Sequence, residues 1–442
     1  MQNIGILNQK CVSLSKIKLL TIMKKYLLII LMCLVAVMTA VADDTQVRIF
    51  DPNVKSLKIA PLSNMYLPPI YVLGSDDVLN VNFDYLDLDI QYLRYSVTHC
   101  NANWQPSQLV ESEYIEGFNQ ADVTDYKPSE ATFVHYFNYD FCIPNNDFII
   151  TKSGNYVLKV YRQDDPDAVL FQTRFSVCEN TMGVYGEVLT NTDVDYNAHH
   201  QQVNFVVTTK GGERISDPYN ELGVIVTQNS RPDNEVMVTK PLMVSGNKVT
   251  FEHNRDLIFP AGNEYRRIEM VNVNSMNMGV EKIQYFEPYY HATLYRNEPR
   301  VDGQYLYDKT QHGHFTIRTS GAHDSMVESD YIVTHFTLYT GERLEGGNLF
   351  VQGGFTLGMP PEQCLMRYDP NYGTYNCDIL LKQGAYNYQF LWVPNGSGVG
   401  QTGMIEGDKY QTSNEYLIKV YDRPFGERYD HFVGFGIIYS GR

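Results

Sequence analysis

The chain has 442 residues and carries 35 Lys+Arg against 51 Asp+Glu, a formal net charge of −16. An acidic balance of this size repels nucleic acid and anionic lipid, which excludes both as partners. The acids are dispersed among apolar residues rather than gathered in a disordered tail, and the length predicts two to four packed domains.

The N-terminus reads as an export leader. Met23-Lys24-Lys25-Tyr26 is a short basic region, Leu27 to Thr39 an apolar core, and Ala40-Val41-Ala42 the small residues that a signal peptidase reads. Residues 1–42 are therefore expected to be absent from the mature chain, with the signal peptide at 23–42, cleavage after Ala42 and translation starting at Met23. The apolar run falls short of the roughly 20 residues that a spanning helix needs. Cys33 follows Leu31-Met32 and lacks the small residue of a lipidation motif, so no lipid anchor is expected. Removing residues 1–42 takes away five lysines and no acid, leaving 30 Lys+Arg against 51 Asp+Glu, a net of −21. No later apolar stretch is long enough to cross a bilayer as a helix.

Past the leader the pattern is that of strands. Leu79, Val81 and Phe83 alternate with polar neighbours, as do Leu93, Tyr95 and Val97; Tyr156, Leu158 and Val160; and Val203, Phe205 and Val207. Period-2 alternation in short windows, bounded by Gly, Asn, Asp and Pro, marks half-buried strands, and no helical stripe of any length accompanies it. The expected fold class is all-β, with consecutive Ig-like or early-set-like β-sandwiches. The predicted units are 43–180, 181–290 and 291–442.

A search for chemistry finds little. Asp193-x-Asp195-x-Asn197 begins like a calcium loop, but Ala198 and Asn204 stand where that loop needs Gly and Glu, so a solvated turn with His199 and His200 is expected. His312 and His314 would share one face of a strand, and His335 could join them, yet the ligand count for a structural zinc is not reached. No nucleophile elbow is present, and paired acids such as Glu111/Glu113 or Asp76/Asp77 say nothing without geometry. The glycine-rich run 395–400 lacks the strand, helix and Lys of a phosphate loop. The alternating charges of 262–269 fit cross-strand pairing. No catalytic residue, metal or cofactor is assigned. Among Cys100, Cys142, Cys178, Cys364 and Cys377, the last two flank a turn and could form a disulfide across a hairpin; other pairings stay open.

In the C-terminal unit, the stretch 348–355, Met366-Arg367-Tyr368 and 379–390 resemble the early-set module that binds glycogen-like glucans. That module stacks sugar on a Trp shortly after the equivalent of Phe355, where this chain has Leu357-Gly358. An envelope glycan-binding protein is the alternative reading, weakened by that loss.

Two blocks are more distinctive: Cys100-Asn101-Ala102-Asn103-Trp104-Gln105-Pro106-Ser107 with its continuation through Phe118 to Ser129, and Ser153-Gly154-Asn155-Tyr156-Val157-Leu158-Lys159-Val160-Tyr161. With Gln228-Asn229-Ser230-Arg231, Gly262-Asn263-Glu264-Tyr265-Arg266 and 381–388, they resemble the plug protein family of the type IX secretion system of Bacteroidota, over essentially the whole mature chain. The resemblance implies a non-enzymatic periplasmic protein at the inner face of the outer membrane, monomeric alone. Its expected partner is the outer-membrane β-barrel translocon, whose periplasmic opening it would close. Candidate contacts are the loop aromatics Trp104, Tyr114, Phe118 and Tyr126, since interfaces rest on a few aromatic anchors. For Trp104 the favoured reading is that the loop folds back and buries it.

Overall fold

Each alternating segment forms a strand in the computed structural model, which describes residues 45–212, 215–275 and 277–441. The leader, with Cys33 and the cleavage site, lies outside the described residues. By contacts the chain divides into Met1–Gln46 and Val47–Arg442, and the sandwiches belong to the second unit.

Two sheets make up the N-terminal sandwich. One orders Arg48–Ile49, Asp165–Cys178, Gly154–Arg162, Leu93–Cys100 and Ala121–Asp122; the other orders Val54–Pro61, Leu79–Tyr85, Phe137–Ile143 and Tyr126–Pro128. The apolar members of each alternation meet between them: Leu79, Val81 and Phe83 face Tyr156, Leu158 and Val160 in one core. Phe83 stacks on Tyr139 at 5.1 Å and meets Phe171 edge-on at 4.8 Å. Aromatic pairs in these geometries add about 1 kcal/mol beyond the area they bury.

The second sandwich pairs the sheet of Met182–Leu189, His200–Thr209, Lys248–Phe251 and Met243–Ser245 with the sheet of Val236–Val238, Leu222–Gln228, Glu415–Asp422 and His431–Tyr439. Val203, Phe205 and Val207 pack there against Val224, Val226, Ile418 and Val420. The third encloses Ile332, Phe336, Leu338, Leu349, Val351, Phe390 and Trp392. Its sheets contain Arg266–Glu269, Gly384–Pro394, Phe315–Ile317 and Gly347–Gln352 on one side. On the other lie Val280–Phe286, Tyr289–Leu294, Tyr331–Tyr339, Thr374–Lys382 and Arg367–Asp369.

The linear division at 290 therefore does not hold. Arg266–Glu269 and Val280–Phe286 belong to the C-terminal sandwich, while the last two strands of the chain return to complete the middle one. The cause is the strand Leu222–Gln228, every residue of which is buried. Such a strand needs hydrogen-bonded neighbours on both edges and cover on both faces. Residues 181–290 supply one neighbour, Val236–Val238; Glu415–Asp422 supplies the other, with Val224 opposite Val420.

Candidate functional site

The four loop aromatics separate into two buried and two exposed. Trp104 is 8% exposed: the turn Asn101–Gln105 is closed by the Trp104 amide donating to the Asn101 carbonyl at 2.9 Å, and the ring packs on Cys100 and Val157. Two cations flank it, the Arg174 guanidinium 4.3 Å and the Lys419 ammonium 5.2 Å from the ring centroid. Tyr114 is buried in the first core beside His99 and Tyr156. Neither is available to a partner: the loop folds back over Trp104, and Tyr114 is corrected from a candidate contact to a core residue. Phe118 is 87% exposed and Tyr126 40% exposed, so these two can be reached.

Sequence reasoning missed what the polar members of the alternations do. Asp84 lies on the face of its strand turned away from the first core, yet it is fully buried, because the C-terminal sandwich covers that face. Its carboxylate accepts from Lys382 Nζ at 2.6 Å, from Tyr331 Oη at 2.6 Å and from Asn138 Nδ2 at 2.7 Å. The Lys382 ammonium also lies 4.2 Å over the Tyr136 ring and donates to the Met326 carbonyl. Burial pulls the Lys382 pKa down, and the Asp84 charge opposes that pull.

A second buried network ties strands of the C-terminal sandwich to the connecting segments around Asn263 and Ser413, which lead to and from the middle one. Glu406, wholly buried, takes Arg266 and Arg300 at 3.0 and 2.6 Å and the Phe390 amide at 2.9 Å. Burial alone would raise its pKa, but the two guanidiniums hold it below the ordinary carboxylate value. Glu264 beside it accepts from Tyr305, Thr310 and the Ser413 amide. The N-terminal and middle sandwiches meet at Asn155, whose Oδ1 accepts from Tyr421 Oη at 2.8 Å and Ser176 Oγ at 2.7 Å. Around it, Ile70, Ala102 and Cys178 pack on Ile225, Leu417 and Phe432. The distinctive 153–161 block serves this contact. Gly154 sits at φ +135°, a region closed to other residues, and a Cβ there would lie 2.5 Å from His99 Nε2.

The remaining candidates resolve into local structure. His200 and His253 hydrogen-bond Asp195 and Asp193, closing the turn expected there. His312 (φ +50°) precedes the strand Phe315–Ile317 rather than sharing a strand face with His314, which is half-buried and whose pKa desolvation pushes down to about 4. His335 joins Asp378 at 2.6 Å and His291 at 3.0 Å, a partner that sequence spacing did not suggest. Among the described residues, no three His, Cys, Asp or Glu side chains gather to hold a metal ion. Cys364 and Cys377 are free thiols, as are Cys100, Cys142 and Cys178, so the possible disulfide across the hairpin is not formed. Cys364 belongs to the helical turn Pro361–Cys364 before the hairpin, and Cys377 Sγ turns to the Gln363 carbonyl at 3.3 Å. At the glucan-module position, the Gly358 carbonyl accepts from the Ile49 amide at 2.7 Å. The place of a stacking Trp is thus spent on a contact with the N-terminal sandwich. The glycine-rich run ends on Arg231 and Asp233, which clamp the Gly400 carbonyl and amide.

No helix among the described residues is long and apolar enough to cross a membrane. No curated protein matches the chain. A protein from Parabacteroides merdae, described only as hypothetical, is 39% identical; the match covers 90% of this chain and 99% of that one with a TM-score of 0.87. A biofilm-associated protein B domain (7% identical, 89% and 87% covered) and a partial N-terminal region of an enterococcal surface protein (8% identical, 88% and 94% covered) reach TM-scores of only 0.19 and 0.18. The family described as type 9 secretion system plug protein, first domain, matches residues 54–179, the N-terminal sandwich that carries both the Trp104 and Gly154 blocks. With this match on its N-terminal sandwich, the chain belongs to the type IX secretion system plug protein family.

Proposed function

We propose that this protein is a non-enzymatic plug of the periplasm, which binds the outer-membrane β-barrel translocon of the type IX secretion system and closes its periplasmic opening. It docks from the inner face of the outer membrane as a monomer and needs no cofactor. The observation that carries this reading is that buried charged or polar groups link each pair of sandwiches: Asp84–Lys382 the N-terminal and C-terminal ones, Asn155–Tyr421 the N-terminal and middle ones, and Arg231, just past the middle strand Leu222–Gln228, donating to the Gly400 carbonyl against Leu391 of the C-terminal one. Domains joined by small wet interfaces move relative to one another by default. A body that covers a wide pore has to resist that motion, and interdigitated buried networks with few alternative arrangements resist it. Phe118 and Tyr126 are exposed contacts available to the barrel.

Single-channel recording tests the reading. The translocon barrel is reconstituted in a planar bilayer, and the purified chain is added to the periplasmic side. Closure of a large conductance, reversed on washing out the protein, is the expected result. Unchanged conductance together with no co-migration of the two proteins on size-exclusion chromatography overturns it.

A further inference from the structure

One hairpin carries an aromatic cluster that stays exposed beside the contact of the N-terminal and C-terminal sandwiches. Its strands Val280–Phe286 and Tyr289–Leu294 pair with Tyr285 opposite Tyr290 and Phe286 opposite Tyr289, so four aromatic residues crowd one tip. On one face Tyr285 meets Tyr290 at 5.2 Å, and Phe133, reaching over from the N-terminal sandwich, packs on them at 4.7 and 5.5 Å. On the other face Phe286 meets His291 edge-on at 5.4 Å, and His291 is held by the chain through His335 to Asp378. Phe133, Tyr285 and Phe286 are nonetheless 55%, 42% and 57% exposed. Monomers seldom leave fixed aromatic groups together in water, and such patches mark interaction sites. Val280–Phe286 is also the outermost strand of its sheet.

We propose that this hairpin, with Phe133, is the anchor by which the protein docks on its partner, and that the partner offers an apolar pocket rimmed by Lys or Arg. The proposal rests on the plug reading and assigns a surface to it. Charge selects the occupant. Glu130 and Glu287 stand exposed close in the chain to Phe133 and Phe286, and neither enters an ion pair among the described residues, while Glu281 and Lys282 at the far end of the strand offset each other. On a chain of net charge −16, that rim disfavours anionic lipid and a second copy of the same surface, and favours a basic one. Preorganised aromatic side chains inside a charged rim are the usual composition of a binding hot spot.

The test measures binding of the purified translocon barrel to the full mature chain, to Phe133→Ala, to Phe286→Ala and to the charge reversal Glu130→Lys/Glu287→Lys. All four are first checked for the same melting temperature. Each alanine variant is expected to weaken binding at least tenfold. The charge reversal is expected to slow association and to weaken its salt dependence. If all variants bind as the wild type does, the surface is wrong and the plug reading stands. If the wild type does not bind the barrel, both fall. Self-association that these variants abolish, or binding to vesicles of anionic phospholipid, would assign the surface to another occupant and overturn the proposal.

Discussion

Asp84 and Lys382 are 298 residues apart in the chain, yet their charged groups lie 2.6 Å apart with 0% and 1% of their side chains exposed. Each lies on the outward face of its own sandwich, so the pair exists only when the N-terminal and C-terminal sandwiches are assembled. Removing one partner leaves a buried charge uncompensated. Asp84→Ala is expected to cost about 3–5 kcal/mol. Replacing both, as Asp84→Leu with Lys382→Met, is expected to recover most of that loss, because the desolvation penalty leaves with the charges. Urea denaturation of the two variants and the wild type checks this. Equal losses in single and double variants would mean that the junction is held by packing alone.

Trp104 and Phe118 come from one sequence block and are expected to behave oppositely. Trp104 is packed between Arg174 and Lys419, so Trp104→Ala should destabilise the fold by about 3–5 kcal/mol, as other buried Trp truncations do. Phe118 is almost fully in water, and Phe118→Ala should leave stability within about 0.5 kcal/mol. Thermal melts of the two proteins, compared with the wild type, decide the matter.

These residues also show what the sequence made legible. Alternation located the strands, because a sheet with one apolar face writes a period of two into the chain. It could not say what covered the other face. Asn82, Asp84 and Asn138 read as the solvent side of their strands and are buried against a second sandwich. Asn155 reads the same way and joins Tyr421, 266 residues on. Sequence separations of this kind leave no local periodicity. The swap of strands between the middle and C-terminal sandwiches was hidden for the same reason, since a fully buried strand does not name its neighbours. The tip aromatics 285–290 were in plain view, but Tyr and Phe are so frequent here that only exposure singled them out.

The five free cysteines among the described residues supply a chemical test. Burial pushes the thiols of Cys100, Cys178, Cys364 and Cys377 up to about 12, so hardly any thiolate is present at neutral pH. A thiolate is the species that alkylating reagents attack. Native protein treated with iodoacetamide at pH 7.5 should leave these four unmodified, and protein in 6 M guanidinium should lose all of them. Non-reducing mass spectrometry should find no bond between Cys364 and Cys377. Recovery of that crosslinked peptide from freshly purified protein would show that the pair bonds after all.

Asp422 gives the junction between the N-terminal and middle sandwiches a defined pH dependence. It lies opposite His431 on the last hairpin, and its Oδ1 is buried with no hydrogen-bond partner among the described residues. Burial, reinforced by the Glu221 carboxylate, pushes its pKa from 3.8 up to about 6. The folded state therefore holds the Asp422 proton more tightly than the unfolded chain does. Below pH 4 both states are protonated and nothing is lost. The cost builds as pH rises from about 4 to about 6 and is complete above that, at most roughly 3 kcal/mol for a shift of two units. His431 acts with the same sign. Burial lowers its pKa, but the hydrogen bond and charge of Glu179 outweigh that and raise it, so its contribution is full below the unfolded value and fades as pH climbs through the folded one. Wild-type stability should accordingly decline from pH 5 to pH 8. Asp422→Asn, which removes the carboxylate and keeps the shape, should gain about 1–3 kcal/mol at pH 7.5, gain nothing at pH 4 and flatten the decline. His431→Gln should flatten what remains. Denaturation midpoints at pH 4, 5, 6, 7 and 8 give the slopes directly. If Asp422→Asn tracks the wild-type curve at every pH, the buried carboxylate does not govern this junction.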